Sequence, residues 1–132
     1  MNTFTCFLID DDTDDQEIFC TVLGSLFPKI ICITAGNGQV ALDKLLSGEV
    51  SPDVIFLDLN MPLMNGRQFL KEVNRHTRLC SIPVTVLSTS ADQDTKASVL
   101  ELGARQFITK PDKYSEWETM LCEILNDFQI KT

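Results

Sequence analysis

Three apolar runs in this chain end in side chains capable of chemistry. Asp58 closes Val54-Ile55-Phe56-Leu57, Asp10-Asp11-Asp12 follow Thr5 to Ile9, and Lys110-Pro111 follow Gln106 to Thr109. An apolar, largely β-prone run that ends on an acid reads as a buried strand delivering that acid to the rim of a sheet. The loop after Asp58, with Pro62 and Asn65-Gly66, supplies the expected punctuation. A fourth run, Val84 to Leu87, ends in Ser88-Thr89-Ser90 and adds hydroxyls.

If these ends converge, Asp10, Asp11, Asp58, Ser88 and Lys110 share one pocket. Two carboxylates about 4 Å apart repel by roughly 4 kcal/mol at an effective dielectric of 20. Three acids together therefore call for a cation. Hard oxygen ligands with room for water favour Mg²⁺, which also binds phosphate oxygens. With an ammonium and a hydroxyl alongside, the site suits a phosphoryl group landing on Asp58, because carboxylate nucleophiles form aspartyl phosphates. Such transfer needs positioned charge around the phosphoryl oxygens. Mg²⁺ would take one, Lys110 a second, and the Ser88 hydroxyl or nearby backbone N–H groups a third.

Convergence demands a particular architecture. Thr5 to Ile9, Ile30 to Ala35, Val54 to Asp58, Val84 to Leu87 and Gln106 to Thr109 read as strands. Between them, Asp14 to Leu26 carries Ile18, Phe19, Val22, Leu23 and Leu26 at helical spacing, and Val40, Ala41, Leu45 and Leu46 mark a helix ending near Gly48. Gly66 to about His76 reads as helical, and Asp92 is the expected N-cap of a helix that runs to Leu102 and stops at Gly103. Ser115-x-x-Glu118 matches a capping box for a last helix, whose stripe is Trp117, Met120, Leu121, Ile124, Leu125 and Phe128. Such alternation predicts an α/β fold with one parallel sheet and helices on both faces. Right-handed crossovers then favour a doubly wound, five-stranded, flavodoxin-like (βα)5 sheet in the order 2-1-3-4-5. Residues 1–132 are expected to form a single domain.

Composition narrows the function. The chain has 132 residues and a formal net charge of -8, from 19 acidic and 11 basic residues. Such a surface argues against nucleic acid as a direct partner and against anionic membranes. The start of the chain carries no signal-peptide pattern and no segment reaches transmembrane length, so a cytoplasmic location is expected. Cys6, Cys20, Cys32, Cys80 and Cys122 are dispersed without a C-x-x-C pair and read as reduced core thiols, since nothing in their spacing supports a metal or redox role.

Taken in order, Leu8-Ile9-Asp10-Asp11, Asp58-Leu59-Asn60-Met61-Pro62 with Asn65-Gly66, Pro83-Val84-Thr85-Val86-Leu87-Ser88, and Phe107-Ile108-Thr109-Lys110-Pro111 resemble the response-regulator receiver domains of two-component signalling. The resemblance covers nearly the whole chain and implies a stand-alone receiver. It implies that Asp58 is the phosphoacceptor, with Lys110 and Ser88 assisting. Asp11, Asp58 and the Asn60 backbone carbonyl would bind Mg²⁺, with Asp10 acting mainly through a water. It further implies a cis peptide between Lys110 and Pro111, a switch made of Ser88 and Phe107, and a surface of fourth helix, fifth strand and last helix that changes on phosphorylation. The implied partners are a sensor histidine kinase or histidine phosphotransfer protein and a downstream effector, with dimerisation through that same surface. Enzyme activity would be confined to autophosphorylation and slow autodephosphorylation. Thr89, where the family often has a smaller residue, and Asp112-Lys113, where an apolar residue is common, depart from the pattern.

Blander readings compete at several positions. Asp12, Asp14 and Asp15 read simply as acids at a helix start, where the helix dipole favours them. Phe107 reads equally well as core. His76, the only histidine, reads as a surface residue at a helix end. A Mg²⁺-dependent phosphatase of haloacid-dehalogenase-like type is the alternative function, but it needs an acid two residues after the nucleophile, where Asn60 stands. A flavin binder would need a Ser/Thr/Gly-rich loop where this chain has three aspartates.

Overall fold

The computed structural model describes residues 3–90 and 92–128. Strands and helices alternate as β1 (Thr5–Ile9), α1 (Thr13–Leu26), β2 (Ile31–Ala35), α2 (Gly38–Ser47), β3 (Val54–Asp58), α3 (Gly66–Asn74), β4 (Val84–Ser88), α4 (Gln93–Glu101), β5 (Gln106–Thr109) and α5 (Tyr114–Asn126). The sheet is parallel throughout, in the order β2-β1-β3-β4-β5, as expected. Its register levels the carboxyl ends of four strands. Ile9 pairs with Leu57, Asp58 with Leu87, and Ser88 with Thr109. The residues that follow β1 and β5, Asp10 and Lys110, therefore reach the same rim as Asp58 and Ser88.

Each face of the sheet has its own core. Successive strand side chains alternate between faces, so Val54 and Phe56 face one way and Ile55 and Leu57 the other. Val54, Phe56 and Leu8 pack with Phe19 and Leu23 of α1 and Trp117 and Leu121 of α5. The rings of Phe19 and Phe56 meet edge to face at 4.9 Å, a favoured aromatic geometry. Ile55, Leu57 and Phe7 pack with Leu45 of α2, Phe69 and Leu70 of α3, and Val99 of α4. Burial on both faces explains why β3 and β4 lack the apolar–polar alternation of a half-exposed strand.

Helix starts follow local chemistry. The Asp12 side chain accepts from the Asp14 and Asp15 N–H groups, and Asn65 and Gln68 form a capping box. Gly48 ends α2 in the left-handed conformation at φ 81°. One expectation fails. The Ser115–Glu118 box does not form, because α5 begins at Tyr114, and its N-cap, Lys113, makes no side-chain cap bond. The Trp117 N–H closes the first turn on the Lys113 carbonyl. Burying the Trp117 ring fixes that register and leaves Ser115 inside the helix, where its carbonyl accepts from Thr119 Oγ1. Among the described residues, no helix is long and apolar enough to cross a membrane.

Candidate functional site

Asp10, Asp58 and Ser88 are all buried at the carboxyl rim, with side chains supplied by adjacent strands. Asp11, one residue beyond, is exposed. Carboxylate oxygens of Asp10, Asp11 and Asp58 lie within 4.8 Å of one another. The rim is tightly held around them. Asp10 Oδ1 accepts the Asp12 N–H at 2.9 Å, and Gln16 Nε2 donates to the Asp10 carbonyl at 2.6 Å. Beyond Asp58, the Asn60 N–H reaches Asp58 Oδ1 at 3.4 Å. Gly66 brings α3 against this turn. A Cβ there would stand 2.8 Å from Leu59 Cα and 2.9 Å from the Asp58 carbonyl oxygen.

Lys110 enters from the end of β5, its N–H donating to the Ser88 carbonyl at 2.7 Å. The Lys110–Pro111 peptide is trans, contrary to expectation: the described residues contain no cis peptide. The β5 register alone delivers the lysine, and trans is the lower-energy form of an X–Pro bond. Its ammonium lies 3.8 Å from Asp58 Oδ1 and 2.9 Å from Asp10 Oδ2. The latter contact lacks hydrogen-bond alignment, so that buried Asp10 oxygen is paired by charge alone.

The ammonium's shortest contact is to Asp15 Oδ2, at 2.7 Å. By its place in the sequence, Asp15 reads only as an acid at a helix start. Helical side chains tilt toward the N-terminus and α1 starts at the rim, so some first-turn acid is aimed there. Which first-turn acid reaches Lys110, 95 positions away, depends on how α1 sits against the sheet. Ser88 Oγ accepts the Ser90 N–H at 3.1 Å. Phe107 is half-buried and packs against the core on the α2–α4 side. Asn60 is exposed, and His76 is half-buried just beyond α3.

Charge dominates the energetics. Burial, reinforced by the Asp10 and Asp11 charges, pushes the Asp58 carboxyl up to about 7 against the opposing pull of Lys110. Burial likewise raises Asp10, although Lys110 and the Asp12 N–H resist. Burial disfavours the Lys110 ammonium, but Asp15 and then Asp10 more than offset it, so the lysine stays protonated well above its ordinary range. Three crowded acids, one with a buried oxygen lacking a hydrogen bond, fit a hard divalent cation.

A doubly wound sheet with this acid cluster and lysine at its carboxyl rim defines a class, and the comparisons agree with it. A family model described as the response regulator receiver domain matches residues 6–121, and the chain belongs to that family, the receivers of two-component signalling. The chain is 39% identical over 113 residues to a protein-glutamate methylesterase/protein-glutamine glutaminase of Treponema denticola, covering 84% of this chain and 29% of that relative. It spans 27% to 37% of the length of such methylesterase relatives. Among solved structures, the phosphorylated cyanobacterial phytochrome response regulator RcpA superposes with a TM-score of 0.86 at 29% identity, over 93% of this chain and 91% of that one. The Mn(2+)-bound response regulator Rcp1 gives 0.83 at 27% identity, over 98% and 96%. The haloacid-dehalogenase-like alternative has no support among these relatives.

Proposed function

We propose that Asp58 accepts a phosphoryl group from a phosphohistidine of a sensor kinase or phosphotransfer protein, and that this chain signals through phosphorylation-dependent protein contacts. The reading rests on one observation above all. Asp58, Asp10, Asp11 and Lys110 meet at one sheet rim, with the lysine 3.8 Å from the nucleophile. Similarity to a regulator solved phosphorylated and another solved with a divalent metal supports it.

An Asp58 carboxylate oxygen attacks phosphorus, the P–N bond to the donor imidazole breaks, and the ring nitrogen keeps the electron pair. Lys110 neutralises one phosphoryl oxygen, and the Ser88 hydroxyl turns from the Ser90 N–H to contact another. Asp11, Asp58 and the Asn60 carbonyl would hold Mg²⁺, with Asp10 acting through a water. The ion would supply charge neutralisation for a third oxygen. Rotation of Ser88 would favour an inward Phe107 and so bias the surface of α4, β5 and α5 that meets an effector or a second copy.

Incubation with Mg²⁺ and acetyl phosphate, read by intact mass, tests the proposal. One phosphoryl adduct is expected on the native chain and none on Asp58→Asn. An adduct that survives the substitution, or no adduct on either protein, would overturn it.

A further inference from the structure

We propose that Cys20 and Cys32 form a peroxide-responsive dithiol site that closes to an intramolecular disulfide on oxidation. All five cysteines are free thiols, and two of them stand together. Cys6 is buried, Cys80 is exposed, and Cys20 on α1 faces Cys32 on the edge strand β2 with the two Sγ atoms 2.6 Å apart. Unbonded heavy atoms rest about 3.5–4.0 Å apart, so these sulfurs are already inside contact distance. Closing to a disulfide only has to shorten this approach to about 2.05 Å. Both residues are half-buried, packed against the α1–α5 core, and β2 has a strand on one side only. A small oxidant can reach the pair from the sheet edge.

The two thiols are unequal in a way that suits the chemistry. In the Cys20–Cys32 contact either sulfur can be the donor; Cys32 beside it brings Cys20 down to about 7, while Cys20 and then burial push Cys32 up. The lowered Cys20 thiol makes it the attacking sulfur. Burial pushes Cys6, the register neighbour of Cys32, up to about 12 and leaves it unreactive. The Cys20 thiolate attacks a peroxide oxygen, the O–O bond breaks, hydroxide leaves, and Cys20 becomes a sulfenic acid. The Cys32 sulfur then attacks the Cys20 sulfur. The S–O bond breaks, the thiol proton leaves with the hydroxyl as water, and one thiolate and one thiol have been oxidised as one peroxide is reduced to water and hydroxide. The cross-link would tie α1 to β2 across 12 chain positions, in the same helix whose first turn supplies Asp15 to Lys110. In a reducing compartment such a bond is transient, the usual state of a sensing disulfide.

The test uses the full chain carrying Cys80→Ser, which removes the exposed thiol able to cross-link molecules. After brief treatment with hydrogen peroxide, non-reducing peptide mapping is expected to find one Cys20–Cys32 linkage. It should be reversed by dithiothreitol, and the oxidised protein should melt at a higher temperature than the reduced one. With Cys32→Ser in that background, dimedone is expected to label Cys20. Linkage of any other pair, oxidation of Cys20 to sulfinic acid without a linkage, or dimedone labelling of Cys32 in Cys20→Ser at the rate seen for Cys20 would overturn the proposal.

Discussion

Asp58 carries an electrostatic cost that can be measured without any phosphoryl donor. Its carboxyl is pushed up to about 7 from an ordinary 3.8, chiefly by burial. Between those values the folded protein holds a proton that the unfolded chain has released. The stabilising contribution of that proton is complete below the unfolded value and is lost as pH rises through about 7. Asparagine has nearly the shape of a protonated aspartate and cannot ionise. Asp58→Asn is therefore expected to match the native chain's stability near pH 4 and to exceed it by about 1–2 kcal/mol at pH 8, a figure kept small because water reaches the rim and screens the charge. Thermal melts in a chelator at pH 4, 6 and 8 would show this. An offset independent of pH would mean that the charge on Asp58 is not strained.

The elements show what sequence can and cannot locate. Buried strands and their terminal acids were legible because Val54 to Asp58 and Thr5 to Asp10 each change abruptly from apolar to acidic, and the sheet order followed from alternation and handedness. Asp15 was not legible, because its value lies in an ion pair set by the lateral placement of α1 against β5. The Ser115–Glu118 box misled because a local motif lost to the burial of Trp117. The Cys20–Cys32 approach was hidden for the same reason as Asp15, since no short spacing encodes a helix-to-strand contact. The turn between β3 and α3 offers a direct test of how elements shape the site. Leu63 there is 81% exposed with φ 67°, a conformation that costs a β-carbon residue about 1–3 kcal/mol. Leu63→Asn is expected to raise stability by about 1 kcal/mol. Gly66→Ala should lower it by about 1–3 kcal/mol, because its Cβ would press on the Leu59 backbone beside Asp58. Urea unfolding of both variants checks the pair. Equal and small effects would mean that this turn yields freely.

At the scale of the whole molecule, one end of the sheet concentrates negative charge on a chain whose net charge is already -8. Asp10 and Asp11 follow β1 and Asp58 closes β3, so only the folded sheet assembles the cluster. A ligand that binds this cluster and not the unfolded chain stabilises the fold by mass action, by about 2.7 kcal/mol at a hundredfold excess over Kd. Mg²⁺ at pH 8 is therefore expected to raise the melting temperature well beyond Na⁺ at matched ionic strength, since Na⁺ only screens. The rise should shrink toward pH 5, where Asp58 is protonated and must release its proton before it can act as a ligand. Asp11→Asn and Asp58→Asn should each remove most of it, and a chelator all of it. The two variants separate local from global causes. Each lowers the net negative charge by one, as would neutralising Asp53 in the loop before β3, far from the rim. If Asp53→Asn blunts the Mg²⁺ response as strongly as Asp11→Asn does, the ion is responding to the overall charge of the molecule. If only the rim substitutions act, the sheet has gathered three scattered acids into one divalent-cation site.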